Sequence, residues 1–135
     1  GDHVLRVVSR RLTVATHHRA LIARLGGDEF AIVINGKPEE ANAAANDIVR
    51  EMSKPIYYDN VTLRVGASIG IATLRGSDDQ SSAMLQEADA ALYEAKARGR
   101  GRACHFDELA AVAKRAFGAA GEPLQLTLPA KQSAA

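Results

Sequence analysis

Two apolar runs, residues 21–23 and 31–34, flank the stretch Arg24-Leu25-Gly26-Gly27-Asp28-Glu29-Phe30. A Gly-Gly pair between such runs predicts a β-hairpin, because tight turns demand the backbone freedom of glycine. Leu21, Ile22, Ala23 and Leu25 make one strand almost wholly apolar, and Phe30, Ala31, Ile32, Val33 and Ile34 do the same for the other. Strands buried on both faces read this way, so helices are expected to cover the sheet.

The turn carries chemistry as well as shape. Glycine lets an oxygen-rich group such as a phosphate approach the backbone without meeting a Cβ. Asp28 and Glu29 place two carboxylates side by side on a rigid hairpin, where they can hold a hard divalent cation and a polar substrate group beside it. In a lone turn, the conformational preferences of Gly and Asp would explain the same residues. The rest of the chain decides between the two explanations.

From residue 1 to about 16, Leu5, Val8, Leu12 and Ala15 recur at helical spacing. His17-His18-Arg19-Ala20 is read as an extended link to the first hairpin strand. Its histidines, with His3, lack a carboxylate or cysteine at ligand spacing, so they are expected to be solvated. After the turn Asn35-Gly36-Lys37, Pro38 with Glu39 and Glu40 opens a second helix. Ala41, Ala44, Ala45, Ile48, Val49 and Met52 form its buried stripe, and Ser53-Lys54-Pro55 ends it.

From Val61 to Ile71 every odd position is apolar, which predicts one long strand with one face on the core. Gly66, Ser68 and Gly70 keep its other face slim for a packed helix. Residues 76–79 read as a loop. A further helix is expected from about Ser81 to Arg98, with a stripe of Leu85, Ala88, Leu92 and Ala95 and with Met84 and Ala91 alongside. Gly99 suits a left-handed cap, and Lys96, Arg98 and Arg100 complement the negative helix end. A short strand over residues 103–106 and an amphipathic helix carrying Phe106, Leu109, Ala110, Ala113 and Phe117 follow. Residue 118 onward reads as a tail or linker.

A chain of 135 residues fits one domain with a real core. Its net charge of +1 argues against a general nucleic-acid surface. Cys104 is the single cysteine, so no disulfide forms within the chain, as suits a reducing cytoplasm. No apolar run approaches the roughly 20 residues of a membrane span, so no membrane contact is expected from this chain.

The segments Gly26-Gly27-Asp28-Glu29-Phe30, Ala67-Ser68-Ile69-Gly70-Ile71-Ala72 and Ala88-Asp89-x-Ala91-Leu92-Tyr93-x-Ala95-Lys96-x-x-Gly99-Arg100 occur in this order. In them the chain resembles a GGDEF domain, the family that makes cyclic dimeric GMP from GTP, from residue 1 to about 106. The resemblance implies an α/β fold: a nucleotidyl-cyclase, ferredoxin-like palm in which helices cover a central, mostly antiparallel sheet. It divides the chain into a cyclase domain at 1–106, a C-terminal helix at 107–118 and a tail or linker at 119–135. Gly1-Asp2-x-x-Leu5 looks like the middle of the family's first helix. The family's first strand, with a metal-binding aspartate, and half of its first helix, with an asparagine for guanine, are then expected to be missing, and the isolated chain to be inactive or nearly so.

By the same resemblance, Gly26 and Gly27 admit the phosphates, Asp28 binds Mg²⁺ or Mn²⁺, and Glu29 binds metal or helps deprotonate the attacking hydroxyl. Arg24 braces the hairpin carboxylates, Asp2 accepts from the guanine edge, and Lys96 and Arg100 contact phosphates. Gly101 stands where the family usually has asparagine. His17 and Ala20 replace the Arg and Asp of the product-inhibition site, so tight product inhibition through that site is not expected. The implied partners are GTP, a second GGDEF domain completing the product, and a linked sensory or phosphodiesterase domain in the cytoplasm. Two further readings stand beside this one, a silent GTP-binding regulatory module and a purely structural dimerisation domain.

Overall fold

The computed structural model describes residues 1–74 and 81–117. The loop expected at 76–79 and the tail beyond 117 lie outside them. Helix α1 spans Asp2–Ala15, and its stripe behaves as the spacing demands: Leu12 and Ala15 are buried, while Leu5 and Val8 are half-buried. No glycine ends this helix. Instead His17 and His18 take left-handed backbone angles, φ 53° and 57°. Their amides donate to the carbonyls of Val14 and Thr13, both at 3.0 Å. The histidines therefore form a helix-capping turn and not the extended link read from the sequence. Histidine is among the residues that tolerate this conformation best.

Strand β1, Ala20–Gly26, pairs antiparallel with β2, Glu29–Ile34. One face of this hairpin carries Ile22, Phe30 and Ile32 into a core with Leu12 and Ala15 of α1 and with Ile48 and Met52 of the next helix. The other face stays open. Leu21 and Val33 are direct cross-strand partners there, 71% and 54% exposed. Burial on both faces thus fails for this hairpin, because the helix that could cover it lies over a different pair of strands.

Helix α2, Pro38–Met52, starts with proline in its first turn and buries Ala45, Ile48 and Met52. Arg11 of α1 donates to the carbonyls of Lys54 and Pro55 at 2.7 and 2.8 Å, joining the two helices at their ends. Strands β3, Ile56–Tyr58, and β4, Val61–Leu63, then form a hairpin that the sequence reading did not include. Its turn, Asp59-Asn60, has positive φ at both residues (46° and 62°), the conformation that two-residue hairpins favour.

The single long strand expected over residues 61–71 is two short ones, β4 and β5 (Ile69–Ile71), in separate ladders. The period-two signal still reports burial: Leu63, Val65 and Ala67 are half-buried, whereas Thr62, Arg64 and Gly66 are exposed. Alternation records which face meets the core. It does not record whether a neighbouring strand completes a ladder. Strand β5 pairs in parallel with β6, Ala103–His105, and among the described residues the strands form three two-stranded ladders, two of them antiparallel.

Helix α3, Ser81–Ala97, packs on β5 and β6. A Cβ at Gly70 would collide with the backbone of Ala88 and Leu92, so only glycine lets the helix sit this close. The buried face of α3 is built from Ala90, Ala91 and Ala95. Leu85, expected in the stripe, is 52% exposed. The helix presses so tightly on β5 that small residues fill the contact, and Leu85 lies beyond it. At its end Gly99 has φ 112°, with Gly99 and Arg100 amides donating to the carbonyls of Lys96 and Ala95 at 3.2 and 3.0 Å. This is the glycine cap read from the sequence.

Buried His105 closes this half of the molecule. Its Nδ1 accepts the Asp107 amide at 3.0 Å, so the ring proton sits on Nε2 and is donated to Thr73 Oγ1 at 3.1 Å. Helix α4, Phe106–Phe117, follows directly and packs on α3.

Candidate functional site

At the hairpin tip Arg24 faces Phe30 and Gly26 faces Glu29, so Leu25 is bulged out of the ladder. Gly27 and Asp28 make the turn itself. Gly26 has φ 149° and Gly27 φ 52°, yet no atom lies within 4 Å of a Cβ built at either position. Backbone conformation, not crowding, requires glycine here, and the turn is left open to solvent. The Arg24 Nε donates to the Gly27 carbonyl at 2.9 Å, fixing the turn from its own strand. Asp28 is exposed and Glu29 half-buried beside it.

Their oxygens suit a hard cation such as Mg²⁺. Among the described residues no group of three His, Cys, Asp or Glu side chains could enclose a metal ion. Two carboxylates alone do not enclose an ion, and a cation held by so few protein ligands takes the rest of its shell from water or ligand oxygens.

Beside the tip is an open cleft of about 380 Å³, lined by Asp2, Leu5, Arg6, Ser9 and Arg24. The first four residues recur on one face of α1, which the helical repeat brings together. Arg24 belongs to both features, lining the cleft and bonding the turn. Asp2 and the Gly26-Gly27 tip are thereby brought to adjoining places. The sequence marks Leu5 as a core residue and as part of the Gly1-Asp2-x-x-Leu5 segment, but does not single out Arg6 or Ser9. Arg6 stands four residues after Asp2 and Ser9 four after Leu5, and that helical spacing is the signal for them in the sequence.

Lys96 and Arg100 stand elsewhere, at the C-terminal end of α3, and do not line this cleft. Arg100 is exposed in the left-handed conformation, φ 63°. Arg98 is held by Glu94 at 2.8 Å, which raises the guanidinium's pKa. The Gly101 amide donates to Ser68 Oγ at 3.3 Å, tying this cationic end to the segment before β5. His17 is exposed and Ala20 begins β1.

A family described as "Diguanylate cyclase, GGDEF domain" matches residues 1–102. A bifunctional diguanylate cyclase/cyclic di-GMP phosphodiesterase of Pseudomonas aeruginosa, MucR, is 37% identical over 108 residues, which is 79% of this chain and 16% of that protein. The probable diguanylate cyclase DgcC of Escherichia coli is 36% identical over 105 residues, 76% of this chain and 28% of that protein. The chain thus spans well under a third of the length of these curated relatives. Among solved structures, the GGDEF domain of PA1120 from Pseudomonas aeruginosa superposes with a TM-score of 0.69 at 35% identity, covering 78% of this chain and 67% of that one. The active GGEEF domain of a diguanylate cyclase from Vibrio cholerae gives 0.65 at 27% identity, covering 78% and 68%.

Proposed function

Since the chain belongs to the GGDEF family of diguanylate cyclases, we propose that in the intact protein it joins two GTP molecules into cyclic dimeric GMP with release of two pyrophosphates. Each 3′-hydroxyl attacks the α-phosphate of the other nucleotide, and a bond from that phosphorus to the pyrophosphate oxygen breaks. The observation that carries this reading is the tip itself. Two adjacent carboxylates stand on a turn whose glycines are required by φ alone, with open space where a ligand would approach.

Asp28 and Glu29 are the residues that would hold Mg²⁺ or Mn²⁺, and the cation, when bound, stabilises charge on the transferring phosphoryl group. The chain's own groups do the rest. The Gly26-Gly27 backbone admits the phosphates, and Arg24 keeps that turn in shape through the Gly27 carbonyl. Where Glu29 does not hold the metal, it instead helps take the proton from the attacking hydroxyl. Asp2 accepts hydrogen bonds from the guanine N–H groups. Lys96 and Arg100 offset phosphate charge from the end of α3. One domain holds one nucleotide, so a second GGDEF domain must face it to complete the product.

A relative named as a cyclic di-GMP phosphodiesterase, NbdA of Pseudomonas aeruginosa, is 32% identical over 107 residues. That resemblance favours a second reading, in which the domain binds GTP and regulates a linked phosphodiesterase without turnover. Incubating the full-length protein with GTP and Mg²⁺ separates the two. The cyclase reading expects cyclic dimeric GMP and pyrophosphate in a 1:2 ratio, while GTP binding with no product supports the regulatory one.

A further inference from the structure

The side chains lining the cleft beside the hairpin tip are of complementary kinds. The carboxylate of Asp2 only accepts hydrogen bonds, and the guanidinium of Arg6 only donates them. They lie one helical turn apart on the same face of α1, both lining a volume of about 380 Å³ with Leu5 between them in sequence. That volume falls within the roughly 300–1,000 Å³ usual for small-molecule sites. Among the described residues no ion pair joins Asp2 to Arg6, so each has capacity for a ligand. Arg24, the other cation here, already commits its Nε to the Gly27 carbonyl.

A ligand matching this pair needs donors on one edge and acceptors on the adjoining edge. Guanine has that pattern: N1–H and N2–H₂ donate, while O6 and N7 accept. Adenine opposes it, placing an N6–H₂ donor where guanine has O6 and an acceptor at N1. Resting on the GTP reading above, we infer that Arg6 is a specificity-determining residue that donates to the O6/N7 edge of the guanine whose N–H edge Asp2 accepts. The planar fork of arginine fits that edge, and the contact discriminates strongly against other bases. Leu5 supplies an apolar wall for the base.

The test is equilibrium binding of GTP, 7-deaza-GTP and ATP to the full-length protein and to its Arg6→Met and Arg6→Lys variants. In 7-deaza-GTP a C–H replaces N7 and nothing else changes. Wild type should bind GTP about tenfold more tightly than 7-deaza-GTP, as for a hydrogen bond from a charged donor. Arg6→Met should lose that ratio and part of the GTP-over-ATP preference, and Arg6→Lys should keep some of both. Equal affinity of wild type for GTP and 7-deaza-GTP overturns the inference without calling on any variant. So does an Arg6→Met variant that weakens both by one factor, since Arg6 would then serve the phosphates. If wild type binds no GTP, this inference and the GTP reading beneath it fall together, whereas the preceding outcomes leave that reading intact.

Discussion

Gly27 and Gly70 both sit where glycine is favoured, but for opposite reasons. Gly27 has φ 52° with nothing within 4 Å of a Cβ, while at Gly70 the backbone of Ala88 and Leu92 already fills the place of a Cβ. The first glycine answers a backbone angle, with open space around it. The second makes room for the protein itself. Around Gly70 everything is closed: Ala91 and Ala95 are 0% exposed and Cys104 is buried. Around Gly27 the turn, Arg24 and Asp28 are exposed. The seat of α3 on β5 is thus closed packing, whereas the hairpin tip stands open at the edge of a core that Ile22, Phe30 and Ile32 share with α1 and α2.

The largest effect that would sharpen this contrast concerns the tip. Glu29→Gln in the full-length protein should cut cyclic dimeric GMP formation by about 10²–10³-fold, the usual cost of losing one preorganised charge contact. Its unfolding free energy, measured in urea, should move by about 1 kcal/mol at most, since Glu29 is half-buried and its substitution leaves no cavity. Gly70→Ala should reverse that pattern, with a stability loss of about 3 kcal/mol, because a rigid helix backbone must move aside. A Gly70→Ala protein as stable as wild type would mean that α3 does not seat on β5.

A smaller effect separates crowding from conformation. Gly27→Ala should lose about 1–2 kcal/mol through its left-handed backbone alone. Gly27→Asn should recover much of that in the same urea titration, because asparagine tolerates this conformation. At Gly70, asparagine should be no better than alanine. The smallest effect belongs to neither glycine. The Lys54 hydrogen bond holds the Glu51 carboxyl below its usual pKa of 4.5. Its contribution is therefore present at neutral pH and lost as pH falls through that lowered value. Glu51→Gln should slightly flatten the pH dependence of the thermal midpoint over that acidic range.

Much of this was legible in the residues. The stripe of α1, the proline start of α2 and the Gly99 cap each rest on a local rule, and each appears as read. Non-local facts were not legible. The apolar run through Leu21 and Val33 reads as a strand covered on both sides, but whether a helix arrives there depends on where α3 lands. The alternation marks the core face over residues 62–67 but not at Val61, which is exposed, and it says nothing of ladder partners, so one strand is expected where two occur. The β3–β4 hairpin had a signal in Asp59-Asn60 between Tyr58 and Val61 that was passed over. At the site, the acidic tip is plain in sequence. Arg6 and Ser9 emerge only when α1 is wound and laid beside β1.

The most direct test of the central claim is to measure GTP binding and cyclic dimeric GMP formation together, in the full-length protein and in its Asp28→Asn variant. The account expects wild type to bind and convert GTP, and the variant to remain folded while its product formation falls by about 10²-fold or more. Undiminished product from Asp28→Asn would contradict it, because the chemistry would then lie somewhere other than the hairpin tip.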